Sequence, residues 1–248
     1  AYNTYISAFK SNMVVNESFL DSATLRENVV SLARNIGYVP RSRKSAKAII
    51  NFDFKFNGNS NSVKLAKGLV VVGATNNTSF TFSIPEDVIV SSPIDVGTNI
   101  TVNPPRTAQF RNLNVYQGTL LRKFFTVSGS LDQRFILENS FVDTESIRVF
   151  VRKSGSSSGL EYSKIDNITA INEKSNIYLI QEVKDEQYEL LFGDGLFGKK
   201  LDSGDIIEVS YIITDGKAGN DGKTFSFSAN ALNDAGAPIA PSETVVIS

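Results

Sequence analysis

The chain has 248 residues, 25 Lys and Arg against 26 Asp and Glu, a formal net charge of -1, and 41% hydrophobic residues. This is a globular composition with enough chain for a real core, and its near-neutral charge removes the main electrostatic argument for nucleic-acid binding. Histidine, cysteine and tryptophan are absent. That excludes a Ser-His-Asp triad, a cysteine nucleophile, an imidazole base, any thiolate or imidazole metal site, and any disulfide.

The N-terminal Ala1-Tyr2-Asn3-Thr4 has no basic-then-apolar signal pattern, and no stretch approaches the roughly 20 apolar residues of a spanning helix. The single methionine is Met13, so the sequence reads as a fragment or a processed form. Ile6, Phe9, Met13 and Val14 suggest helical structure between Tyr5 and Phe19. A clearer helix follows, with Leu25, Val29, Leu32 and Ile36 on one face, Thr24 and Glu27 as a capping box, and Gly37 and Pro40 as the stop. After Ala48 the period becomes two: Ile50, Phe52, Phe54 and Phe56 alternate with polar residues, predicting a half-buried strand. Further strands are predicted at Leu69–Val72, Phe80–Ile84 and Ile100–Val102, with a tight turn at Asn76-Asn77 and one or two strands between Phe110 and Val127. Ile147–Val151, Ile177–Ile180, Tyr188–Phe192, Ile206–Ile213 and Phe225–Phe227 continue the pattern, with a Gly/Ser loop expected to be mobile at Ser154–Gly159.

Many short strands with frequent turns predict a mainly β fold with minor α: two small sandwich-like β modules preceded by an N-terminal helix. The expected organisation is a helical segment at 1–47, a first β-rich module at 48–128, a second at 129–215, and a C-terminal strand with an irregular tail at 216–248.

Gly193-Asp194-Gly195-Leu196-Phe197-Gly198 matches the G-x-G-x-x-G pattern, with Asp215 about 20 residues on, as a dinucleotide site wants. A Rossmann unit, however, starts a helix inside the glycines and returns through a crossover of ten or more residues. Here about seven residues (199–205) lead to the next strand, so the glycines predict a sharp connection between strands, with Asp194 bonding nearby backbone N–H groups. Asp185, Glu186, Glu189 and Asp194 are the remaining acid/base candidates, and a glycosidase reading requires two of them to face one cleft. Asp215, Asn220 and Asp221 do not have EF-hand spacing. The basic run Pro40–Lys47 lacks interleaved aromatics, and the five sequons, at Asn16, Asn76, Asn77, Asn99 and Asn167, carry meaning only in a secreted protein.

Tyr188–Leu201 with its aromatic-Gly-Asp-Gly turn, then Gly204-Asp205, Val209-Ser210-Tyr211 and Thr214–Asn220, resembles the baseplate J-like family in the order of these elements. These are wedge proteins of contractile phage tails and related injection machines. Leu25–Ser42 and Phe141–Val149 resemble the T-even-type branch. The resemblance implies a structural wedge component in the tail baseplate of the virion, assembled in the host cytoplasm. It implies contacts with other wedge subunits and further copies of itself in a ring around the tail hub. No catalytic residue, cofactor, metal, small-molecule ligand, nucleic acid or membrane is expected. The motif residues it marks as structural are Phe192, Gly193, Asp194, Gly195, Gly198, Gly204, Tyr211, Gly219 and Asn220. The family's pattern near the end is only faintly echoed by Gly236 and Ser242-Glu243, which implies a middle fragment of a longer protein. The alternative from another class is a carbohydrate-binding or glycan-cleaving β protein of the tail or cell surface, for which eight Tyr and no Trp make a thin stacking platform.

Overall fold

A computed structural model describes residues 2–19, 21–25, 28–30, 32, 42–74, 78–98, 102–130, 132–165, 171–183, 186–222 and 224–248. Most of the helix expected over 25–36 lies outside the described residues, as do its Glu27 cap and Gly37-Pro40 stop. So do Arg41, the Asn76-Asn77 turn, Asn99, Ile100, Thr101, Asn167 and Asp185.

Among the described residues, helix α1 (Tyr2–Asn16) precedes fifteen strands. Met13, Val14 and Val15 are exposed at its end. Beyond it, the Glu17 carboxylate accepts bonds from the Thr24 and Leu25 N–H groups (3.0 and 3.2 Å), the Thr24 hydroxyl and the Asn28 side chain. Those bonds, led by that of Asn28, hold Glu17 down to a pKa of about 2. Sequence spacing does not single out Glu17 for this role.

The first sheet has the order β1-β6-β4-β3-β14, formed by β1 (Lys47–Asn57), β3 (Gly68–Ala74), β4 (Ser79–Ile84), β6 (Pro105–Gln117) and β14 (Thr224–Phe227). The alternating face of β1 points inward: Ile50, Phe52, Phe54 and Phe56 are all buried. Phe52 stacks on Phe110 at 4.8 Å, and Phe227 of β14 tilts against Phe52 and Phe54 at 5.4 and 5.7 Å. Each buried phenyl ring contributes about 2–3 kcal/mol. Register slips between Ile50 and Phe52, where Asn112 of β6 takes φ 52° and its N–H donates to the Asn51 side chain at 2.7 Å. A smaller sheet, β15-β2-β5, comprises β2 (Ser62–Leu65), β5 (Val88–Ser91) and β15 (Ala231–Leu232). Its Val63, Leu65 and Ala231 share the same apolar core. The C-terminal tail returns to that core: Ile247 bridges to Phe52, and Ser248 and Asn51 exchange backbone bonds at 2.8 and 3.0 Å.

The second sheet runs β7-β13-β9-β10-β11-β12-β8. Its strands are β7 (Thr119–Thr126), β8 (Phe135–Leu137), β9 (Val142–Arg152), β10 (Gly159–Lys164), β11 (Ile177–Glu182), β12 (Tyr188–Phe192) and β13 (Ile206–Ile213). Among the described residues, β10 and β11 pair in parallel and the other neighbours are antiparallel. The sheet curls until its two end strands meet: Phe125 of β7 packs edge-on against Phe135 of β8 at 5.6 Å, and Lys123 Nζ donates to the Ile136 carbonyl at 3.1 Å. Inside lie Val149, Tyr162, Tyr178, Leu190, Val209 and Tyr211. The molecule is mostly β, as the periodicity predicts, and no described helix is long and apolar enough to cross a membrane.

Candidate functional site

The glycine motif forms a corner directly after β12. Gly193 makes an isolated bridge to Lys200, and the Gly195 N–H donates to the Gly198 carbonyl at 3.1 Å. Asp194 Oδ1 accepts the N–H groups of both Leu196 and Phe197 at 2.9 Å. These bonds, Phe197's first, draw the Asp194 carboxyl below its ordinary range. The glycines serve different needs. Gly195 and Gly198 have φ of 96° and 83°, where L side chains are strained. Gly193 does not; a Cβ there would lie 2.3 Å from the Gly198 carbonyl carbon, so close backbone approach is what requires glycine. The corner is tied to its surroundings by the Gly198 N–H on the Asn172 carbonyl and the Lys199 N–H on the Ser175 carbonyl, at 3.2 and 2.9 Å.

The corner holds its backbone fixed while turning two large apolar side chains outward: Leu196 is 77% exposed and Phe197 66%. The cross-strand pair Leu179 and Leu191, on β11 and β12, is also exposed. Ordered backbone beneath exposed apolar residues lowers the entropic cost of docking.

The corner brings Gly193, Asp194, Gly195 and Gly198 together, with Phe192 at the end of β12 packing edge-on against Phe135 and Tyr162. The other motif residues lie elsewhere. Gly204 (φ 89°) turns the chain into β13, its N–H on the Val127 carbonyl at 2.8 Å. Beside it Lys153 joins the carboxylates of Asp202 and buried Asp205. Tyr211 is buried in the second core, its hydroxyl donating to Asn139 at 2.5 Å, and burial raises its pKa. Gly219 is buried in a 3-10 helix (Gly216–Asp221), where a Cβ would meet Gln117 Cγ at 2.5 Å, while Asn220 is exposed.

The segment 199–205 runs through a turn into β13 rather than into a helix, so the N-terminal amides a pyrophosphate needs do not follow the glycines. Glu189 is buried and engaged by Arg134 in a bidentate pair, both bonds at 2.7 Å. That cation draws its carboxyl below the usual range. Two surface clefts, of 720 and 440 Å³, are lined by other residues than Glu186, Glu189 and Asp194. The larger sits among the Asp53–Arg111 and Lys55–Glu243 pairs, and the smaller holds Asp234. In the basic run, Arg43 lies over the Phe141 ring at 3.8 Å and Lys44 pairs with Glu145 at 3.0 Å.

Sequence reasoning missed the residues that join the two cores. Gln117, 1% exposed, accepts from the Thr214 hydroxyl (2.6 Å) and the Asp215 N–H (3.0 Å), and donates to the Asp215 carboxylate (2.8 Å). Buried Asp143 accepts the N–H groups of Ser45 (2.9 Å) and Glu145 (3.0 Å). A polar residue at a strand end reads as solvated, and no local spacing marks it as buried.

No family model matches the chain. The chain spans about a third of the length of the curated relative it matches, 36% of that protein. Over a 254-residue alignment covering 94% of its own length, it is 26% identical, and so similar, to the baseplate wedge protein gp6 of Enterobacteria phage T4.

Proposed function

We propose that this chain is a structural part of a contractile phage tail baseplate wedge, without catalytic activity, that works by surface contact with neighbouring wedge subunits and further copies of itself around the tail hub. Its place is the virion tail baseplate, assembled in the host cytoplasm. The observation that carries this reading is the similarity to a wedge protein along nearly the whole chain. The residue inventory agrees, because a chain without His or Cys is poor in nucleophile and base chemistry. The Gly-Asp-Gly corner supplies a candidate contact. Its bonded backbone presents Leu196 and Phe197 as a small apolar knob, and burying such side chains against a partner is the usual source of binding energy. We assign the motif residues Phe192, Gly193, Asp194, Gly195 and Gly198 to shaping this knob, and Gly204, Tyr211, Gly219 and Asn220 to the scaffold behind it.

The test replaces the knob by L196S/F197S in the protein as naturally expressed. Both side chains are exposed, so the melting temperature should stay within about 1–2 °C of wild type, as surface substitutions cost little. Incorporation into tail baseplates, measured by mass spectrometry of purified particles, should fall at least tenfold. Undiminished incorporation would remove the knob from the interface, and absence of the wild-type protein from purified tails would refute the function.

A further inference from the structure

The two cores meet through several polar contacts, among them the Lys67–Glu208 and Arg148–Glu86 pairs, and one buried side chain, Gln117, bonds across both chain crossings. The chain passes from the first sheet to the second over a single residue, Gly118, between β6 and β7. Gly118 has φ 131°, its N–H donates to the Thr81 carbonyl and its own carbonyl accepts the Ser83 hydroxyl, both at 2.8 Å. A Cβ on it would stand 2.2 Å from the Ile213 carbonyl oxygen of β13. The chain returns to the first sheet after β13, through Thr214, Asp215 and the 3-10 helix that precedes β14. Gln117 ties the two crossings together. Its own N–H donates to the Ala46 carbonyl at 2.7 Å, and its side chain holds Thr214 and Asp215, with Gly219 packed on its methylenes. A third tie lies alongside: the segment entering β1 is held on β9 through Ser45 to Asp143 and Ser42 to Thr144, the latter at 2.8 Å.

We infer that Gln117 is a positioning residue: its buried amide clamps the outgoing and returning crossings, fixing the angle between the two β cores so that they act as one rigid arm. A one-residue glycine joint would by itself permit rotation, since glycine tolerates wide backbone excursions. The buried amide opposes that rotation because swinging the cores apart breaks its bonds to Asp215 and leaves the buried Thr214 hydroxyl and the Gln117 amide oxygen without each other. The clamp acts on the internal geometry of the chain, whatever partners that chain meets.

The chain has no cysteine, so spin labels at S91C on β5 and S163C on β10, both exposed positions, report one distance between the two cores. Wild type should give a single narrow distance distribution by double electron–electron resonance. Q117A should broaden it at least twofold while amide-exchange protection in β1 and β13 persists. A broad wild-type distribution, or a Q117A distribution as narrow as wild type, overturns the clamp. If Q117A does not fold, T214V, which removes only one hydroxyl, decides: broadening supports the clamp, and an unchanged width refutes it.

Discussion

Gly193→Ala is the most informative single change at the corner, because its expected cost follows from one close contact. The added methyl would stand 2.3 Å from the Gly198 carbonyl carbon and 2.4 Å from its oxygen. No side-chain rotation relieves a clash with backbone, so the corner must open. Opening it strains the Gly195 to Gly198 bond and the Gly193–Lys200 bridge. Overpacking of this kind costs about 1–3 kcal/mol, and the two strained backbone interactions add about 1 kcal/mol each, so the total is about 3–5 kcal/mol. For a chain of this size about 2–4 °C of melting temperature accompanies each kcal/mol, which places the drop at about 6–20 °C. Gly68→Ala is the matched control: φ is 121° there but nothing lies within 4 Å of the added carbon, leaving only backbone strain of about 1–2 kcal/mol. Differential scanning calorimetry on the two variants separates the effects. If Gly193→Ala melts as high as Gly68→Ala, close approach at Gly193 is not what the corner depends on.

The buried Ser45 hydroxyl has no hydrogen-bond partner among the described residues, so S45A should be neutral or stabilising by up to about 1 kcal/mol in urea unfolding; a clear loss would mean the hydroxyl is bonded. R134A should lower the urea midpoint more than E189Q does. The first leaves a buried carboxylate without its cation, whereas the second leaves a neutral amide beside an exposed guanidinium; the reverse order would show the pair to be worth little. Stability should be nearly flat between about pH 6 and 8, because the chain has no histidine. Glu189, Asp194 and Asp234 have folded pKa values depressed by their bonds, Asp234 to about 2. Their contribution is therefore present above the ordinary carboxylate range and is lost as pH falls through the folded values. Burial raises Tyr162 and Tyr211, so a second loss belongs above about pH 10. A transition near pH 6.5 in thermal scans would contradict this profile.

Where a strand is long and one face is buried, alternation reveals it. Ile50 to Phe56 and Ile147 to Val151 read directly from the period of two because one side of each strand meets a core. The short strands β2, β5 and β8 were not legible, since three or four residues carry too little pattern. Pairing was hidden too. Thr224 reaches Ala74 across 150 residues, and nothing local to Phe225 or Phe227 says that they complete the first core. At the corner the glycines and Asp194 were visible as a motif, but the separate reason for Gly193, contact with the Gly198 backbone, appears only in three dimensions. Gln117 and Asp143 were silent in the sequence for the same reason: a buried polar group is recognised by what surrounds it, not by its spacing.

The most direct measurement is cryo-electron microscopy of tail baseplates assembled with this protein. The two β cores should be found in each wedge as one rigid unit, with Leu196 and Phe197 buried against a neighbouring subunit. Baseplates in which the Gly-Asp-Gly corner faces open solvent in every copy, or in which this chain has no density, would contradict a role in architecture built from such contacts.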